Sequence, residues 1–255
     1  MSTEFYDKVA KKFGGYAFGH NDVKLTSEYP NGDPEAVFKE KIIDLINKDV
    51  AVLDVGCGDG KFAFGLAEQV SSITGIDLSE ELLRVARQKK EELKVNNIDF
   101  ELQDASKTSF PDNSYDLAFS RRGPTPFLEL YRILNPGGYF VGINIGEKDC
   151  QEIKEVFGRG QGFGEWNSPR IEKDRGGLES VSFEIIFAQD YLYDEYYESY
   201  EDIDLFLQGV PIFEDFDSER DKELLEKYVA SSKTDKGIRL PRHRIVVVAR
   251  KPLSE

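Results

Sequence analysis

Cysteine, histidine, methionine and tryptophan are all scarce in this 255-residue chain, which has two Cys, two His, one Met and one Trp. Two cysteines, Cys57 and Cys150, cannot make a disulfide framework or, alone, a structural zinc site. Nothing in the residue pattern points to a metal. Long apolar runs are missing too: no stretch approaches the roughly 18 residues that a membrane span needs. The start, Met1-Ser2-Thr3-Glu4-Phe5-Tyr6-Asp7, lacks the basic-then-apolar pattern of a secretion signal. The expectation is a cytoplasmic protein with no membrane partner. An excess of basic residues is also absent. With 33 Lys and Arg against 48 Asp and Glu, the net charge is −15. That balance argues against a nonspecific nucleic-acid binder, which needs clustered cations to neutralise phosphate.

What is present is enough apolar residue, 40% of the chain, to bury a sizeable core. The length suits a single α/β domain with additions. Charge is unevenly spread. Residues 190–227 hold fourteen acids and three bases, whereas Lys236 to Lys251 has six Lys or Arg and no acid.

The elements alternate. Asp33-Pro34 reads as an N-cap and a first-turn proline. The β-rich run Val50–Val55 follows, ending in glycines, as in a buried parallel strand. Helix 61–70, strand 72–77, helix 80–94 capped by Ser79, strand 98–102, strand 115–120, helix 125–134 and strand 139–145 succeed one another. Short apolar strands separated by helices imply a doubly wound parallel sheet of Rossmann type. Beyond Gly146 the pattern loosens: 147–157 can form a helix, and 159–178 is rich in Gly, Arg and polar residues. Two later runs, 180–189 and 243–250, read as strands. The acidic, Tyr-rich stretch between them is too long for a hairpin loop, and a helical cap is expected there.

The chemistry concentrates in Asp54-Val55-Gly56-Cys57-Gly58-Asp59-Gly60, straight after the first strand. Glycines there let the backbone turn tightly and approach a ligand. In the dinucleotide fingerprint the third glycine falls three residues after the second; here it falls two after. Asp54 and Asp59 would repel a pyrophosphate but not a cationic ligand. Asp77, 21 residues after Gly56, is placed to accept both hydroxyls of a ribose. Asp104, after the third strand, is placed to accept from an adenine amino group. Together these describe an adenosine site with no demand for a diphosphate.

On these residues the chain resembles the class I S-adenosylmethionine-dependent methyltransferases. The matching segments are Leu53–Gly60, Gly75-Ile76-Asp77-Leu78-Ser79, Gln103-Asp104-Ala105 and Tyr131-Arg132-Ile133-Leu134-Asn135-Pro136-Gly137-Gly138, in order over roughly residues 36–145. The resemblance implies a seven-stranded sheet whose last strand, 242–250, is antiparallel. It implies S-adenosylmethionine as cofactor, with Gly56, Cys57 and Gly58 at its methionine part, Asp77 and Leu78 at the ribose, Asp104 and Ala105 at the adenine, and Ser120 near the methyl. Asp54 belongs to the same set. Residues 1–33 resemble a cofactor-covering segment, with Tyr16 or Tyr6 over the methionine carboxylate. Residues 34–146 form the binding core and 190–235 the inserted cap of what reads as one domain, 1–255.

The acceptor is less legible. The fourth-strand exit, Ser120-Arg121-Arg122-Gly123-Pro124, departs from the pattern of enzymes that methylate exocyclic amines of nucleobases. Arg121 and Arg122 suit an acceptor carboxylate or phosphate, or are a surface pair at a helix start. His20, Ser120 and Arg121 are the candidates for a catalytic role, and His243 is expected to be structural. The tyrosines among the acids of 190–204 suit either a lid favouring a cationic or neutral acceptor, or a helix packing them inward. The expected activity is methyl transfer to oxygen or nitrogen of a small molecule. The alternatives are an RNA methyltransferase and a non-catalytic cofactor-binding protein.

Overall fold

The computed structural model describes residues 3–16 and 23–253. In chain order the elements are α1 (Thr3–Phe13), β1 (Leu25–Glu28), α2 (Pro34–Ile43), β2 (Ala51–Val55), α3 (Lys61–Phe64), β3 (Ser72–Asp77), α4 (Glu80–Leu93), β4 (Ile98–Leu102), β5 (Tyr115–Arg121), α5 (Phe127–Ile133), β6 (Leu134–Ile145), α6 (Gln151–Phe157), α7 (Arg170–Ser180), β7 (Glu184–Tyr197), α8 (Tyr200–Gly209), α9 (Lys222–Ser232), β8 (Lys233–Thr234) and β9 (Gly237–Arg250). They fall into two compact units. One comprises Asp33–Ile145, Arg170–Asp190 and Ile245–Glu255; the other comprises Met1–Gly32, Gly146–Pro169 and Tyr191–Arg244. Strands β7 and β9 contribute residues to both.

In the first unit β4, β3, β2, β5 and β6 lie side by side and parallel. Beyond β6 the sheet continues through Ile245–Arg250 of β9 and Glu184–Asp190 of β7, the antiparallel edge. This is the expected mostly parallel α/β sheet. Strand β2, Ala-Val-Leu-Asp-Val, is buried at four of its five positions, as a central strand covered by helices on both faces must be. Its neighbours are β3 on one side and β5 on the other, so the strand order reverses there. A crevice opens at the carboxyl ends of strands at such a reversal, where open α/β sheets take their ligands. Helices start where the sequence supplies caps. The Asp33 side chain accepts from Glu35 N ahead of Pro34, and Ser79 accepts from Leu82 N.

Three expectations are revised. Helix 61–70 stops at Phe64, because Gly65 occupies the cap; Ala67–Gln69 is a separate 3-10 turn. The polar stretch 159–178 contains helix α7, which its glycines conceal. A Cβ on Gly177 would come within 2.7 Å of the Phe127 ring, so glycine is what lets α7 approach α5. Asp174 secures α7, accepting from Asn144 Nδ2 and Arg170 Nε, each at 2.7 Å. The strand expected to end at 189 runs on through the tyrosines to Tyr197.

In the second unit Tyr191, Tyr193, Glu195 and Tyr197 are buried at alternate positions of β7, the period of a strand. They are not part of a helical lid. Strand β1 pairs antiparallel with this half of β7, from Leu25 opposite Tyr197 to Glu28 opposite Asp194. The helical part of the insertion begins only at Tyr200. Helices α6, α8 and α9 share an apolar core that includes Ile153, Phe157, Phe206, Leu207, Phe213 and Leu225.

Candidate functional site

The glycine loop of the first unit is pinned from below. Gly56 N and Cys57 N both donate to Ile76 O, at 2.9 and 3.0 Å, and Gly58 N donates to Asp77 Oδ2 at 2.9 Å. Gly56, Gly58 and Gly60 have φ of +74°, +55° and +73°, a region that side chains with a Cβ adopt only under strain. At Gly60 a Cβ would also strike the Phe100 ring, at 2.5 Å.

Asp54 lies at the end of β2, buried, and its Oδ2 has no hydrogen-bond partner among the described residues. Burial, followed by repulsion from Asp77, pushes its carboxyl up to about 8 against the opposing pull of Arg121. A carboxyl group so placed is short of a positive charge. Directly across β5, in register with Val55, sits Ser120, fully buried, with an Oγ that likewise has no partner among the described residues. Gly123 closes this corner. A Cβ there would come 2.9 Å from Val55 O and 3.0 Å from Ser120 Oγ. The turn after β5 can lie against the turn after β2 only without a side chain.

The other expected residues divide. Asp77 accepts from Gly58 N through Oδ2 and from Ser79 N through Oδ1, both at 2.9 Å. These two bonds fix the orientation of its carboxylate. Leu78, beside it, is an apolar side chain left 54% exposed at the sheet edge. Asp104 is exposed, and its Oδ1 accepts from Ser106 N and Ser106 Oγ, which hold its carboxyl below the usual range. Ala105 packs into the core. The Cys57 thiol is buried, and burial pushes it well up, so it fills space rather than reacting. Asp59 is turned away to Lys89 Nζ, at 2.9 Å.

Arg121 and Arg122 are both held by Glu35: Arg121 Nε lies 2.8 Å from Oε2 and Arg122 Nη1 lies 3.0 Å from Oε1. Sequence reasoning missed Glu35, which reads only as a first-turn acid of α2. Tyr16 belongs to the second unit, where its ring lies 5.8 Å from that of Tyr6. His20 lies outside the described residues. His243 is buried in the second unit, its Nδ1 accepting from Lys148 N. The basic run near the end of the chain has internal partners: Lys236 pairs with Glu28, Arg239 with Glu152 and Asp194, and Arg242 and Arg244 with Asp149. Lys251 donates to the carbonyls of Tyr131 and Leu134.

A glycine turn with acidic partners at the reversal point of a mostly parallel sheet marks a Rossmann-like α/β fold. Residues 46–202 match the family model described as a methyltransferase domain. The chain belongs to that family, among the class I S-adenosylmethionine-dependent methyltransferases. A demethylmenaquinone methyltransferase of Listeria welshimeri is 33% identical to it over 122 residues, covering 44% of this chain and 52% of that protein. The chain thus spans about half the length of the curated relatives it matches. A SAM-dependent methyltransferase from Methanosarcina mazei has a similar structure, with a TM-score of 0.53 at 21% identity over 84% of this chain and 98% of that one. The cyclase SpnF does too, with a TM-score of 0.60 at 19% identity over 99% of this chain and 95% of that one. At those identities the likeness is one of fold. No helix of the described residues is long and apolar enough to cross a membrane.

Proposed function

We propose that this protein binds S-adenosylmethionine at the β2–β5 crevice and transfers its methyl group to oxygen or nitrogen of a small-molecule acceptor. The observation that carries the reading is Asp54, buried, with one oxygen unpartnered among the described residues and a carboxyl held up by lack of a counter-charge. An amino acid ammonium group supplies that charge, whereas a diphosphate would worsen the deficit. The residues present therefore fit this cofactor.

Bound there, the cofactor supplies an electrophilic methyl on a sulfonium, and the protein's part is to orient and to exclude water. Asp54 accepts from the ammonium and becomes ionised. Asp77, oriented by Gly58 and Ser79, takes the ribose hydroxyls. Leu78 gives the nucleoside an apolar surface, Asp104 an acceptor for its amino group, and Ser120 Oγ a buried hydroxyl beside Val55. The pairing of the terminal basic run favours a small acceptor over RNA, and the acceptor in the relatives' names, demethylmenaquinone, is likewise a small molecule.

The test is calorimetric titration with S-adenosylmethionine and S-adenosylhomocysteine, wild type beside Asp77→Ala. Loss of a charged acceptor to a ribose is expected to weaken binding by about 10- to 150-fold, or about 1.5–3 kcal/mol. Absence of binding by the wild type removes the methyl-transfer reading and leaves the fold, which SpnF shares.

A further inference from the structure

Residues 103–114, which carry the chain from β4 to β5, contain neither helix nor strand, and most of their side chains are exposed. Ala105 and Phe110 pack on the apolar core of the first unit. A stretch with so little apolar burial is loose unless polar contacts hold it.

Those contacts come from α5. Glu129 Oε1 accepts from Thr108 N at 2.8 Å and from Thr108 Oγ1 at 2.6 Å. Arg132, one turn further along the helix, clamps Glu129 in turn: Nε lies 3.0 Å from Oε2 and Nη2 lies 2.6 Å from Oε1. The rest of that guanidinium goes to the loop. Nη1 donates to Phe110 O at 2.8 Å and to Asp112 Oδ1 at 2.7 Å, and Nη2 to Thr108 Oγ1 at 3.3 Å. A guanidinium has five N–H donors, and here each has a partner. An isolated surface ion pair holds little, whereas a fork that grips a carboxylate and a loop backbone together fixes a geometry. Hydrogen bonds from Arg132, against the cost of burial, hold the Glu129 carboxyl down to about 2, so the clamp stays charged at any ordinary pH.

The turn that this clamp fixes begins at Asp104. Asp104 O accepts from Lys107 N at 3.0 Å, and Asp104 Oδ1 accepts from Ser106 N and Ser106 Oγ. Gln103 Oε1 accepts from Ser109 N at 2.8 Å and from Ser109 Oγ at 3.2 Å. The turn is therefore closed on itself at Gln103 and tied to α5 at Thr108. Closure gives it a shape, and the tie to Glu129 gives it a place beside the sheet.

We propose that Glu129 is a positioning residue for the cofactor's adenine: from α5 it fixes the turn that carries Asp104, and so sets how well the site tells a 6-amino purine from a 6-oxo one. This role rests on the reading of Asp104 as acceptor for the adenine amino group.

The test titrates the full chain calorimetrically with S-adenosylhomocysteine and with S-inosylhomocysteine, its 6-oxo counterpart, which has no amino hydrogen to give Asp104. The wild type is expected to prefer the adenosyl compound by at least about tenfold. Glu129→Ala should cut that preference several-fold. In an Asp104→Ala background it should cut it no further, because two residues acting through one contact are not additive. Thr108→Val removes one of the two donors to Glu129 and should give a smaller fall in the same direction; it decides the matter if Glu129→Ala does not fold. A merely structural Glu129 would weaken both compounds equally. That result, or a preference that neither variant moves, overturns this role and leaves the methyl-transfer reading standing. A wild type that binds both compounds alike removes Asp104 from the adenine and this role with it, and one that binds neither overturns the methyl-transfer reading as well.

Discussion

Asp54 offers the sharpest test of the site's electrostatics. Its carboxyl stands at about 8 in the folded protein, against an ordinary value of 3.8. The folded state therefore holds this proton where the unfolded chain has released it. Between those two values, stability must fall as pH rises, by about 1.4 kcal/mol per pH unit from this group. Asp54→Asn keeps the shape and removes the titration. The quantity to follow is the difference between wild type and variant, in which every other titrating group cancels. From pH 5 to pH 8 that difference should move by about 4 kcal/mol in favour of the variant. For a chain of this size that corresponds to roughly 8–16 °C in melting temperature. Thermal unfolding of both proteins at unit pH steps is sufficient. Parallel curves would mean that the carboxyl ionises freely in the folded state, and the argument that this site is short of a cation would fail. Saturating cofactor should flatten the wild-type curve, because an ammonium group removes the cause of the shift.

Two further substitutions probe the framework. Gly123→Ala places a methyl against Val55 O and Ser120 Oγ, neither of which can yield easily; a loss of about 1–3 kcal/mol in urea unfolding is expected, and an unchanged midpoint would show that the β5 turn is looser than described. Asp149→Ala leaves Arg242 and Arg244 buried without their shared partner, at a cost of about 3–5 kcal/mol, measurable as a lowered melting temperature. The Asp149 carboxyl is held well below its ordinary range by Arg242, Arg244 and Lys154 against the cost of burial. Its contribution is thus complete above the ordinary carboxylate range and disappears only as pH falls through its depressed folded value, so acid melting curves of wild type and variant should converge only in strong acid.

Legibility differed by element. Strands β3 and β4 fall where the sequence puts them; β4, Ile-Asp-Phe-Glu-Leu, ends the strand order and alternates apolar and acidic residues, the period of a half-buried strand. Helix α7 was hidden by Gly176-Gly177, which lowers helix propensity for the sake of contact with Phe127. The tyrosine stretch was misread as part of a helical cap because the segment holding it is too long for a hairpin loop. Its alternate burial on β7 is a period-two signal present in the residues themselves. Asp54, Asp77 and Ser120 lie at the carboxyl ends of β2, β3 and β5, where the strand ends read from the sequence put them.

Local order determined that much: strand ends, caps and the glycine turn depend on neighbours within a few residues, and sequence carries those. The partners of charged groups depend on side chains far apart in the chain, and only the tertiary structure decided them. Glu35 meets Arg121 across 86 positions and Asp149 meets Arg242 across 93. A charge has no periodicity and can pair with any opposite charge that folding delivers to it. The arginine pair that looked available to an acceptor is therefore held by Glu35. Arg244, in a run that read as basic and as the final strand, is buried and paired with Asp149.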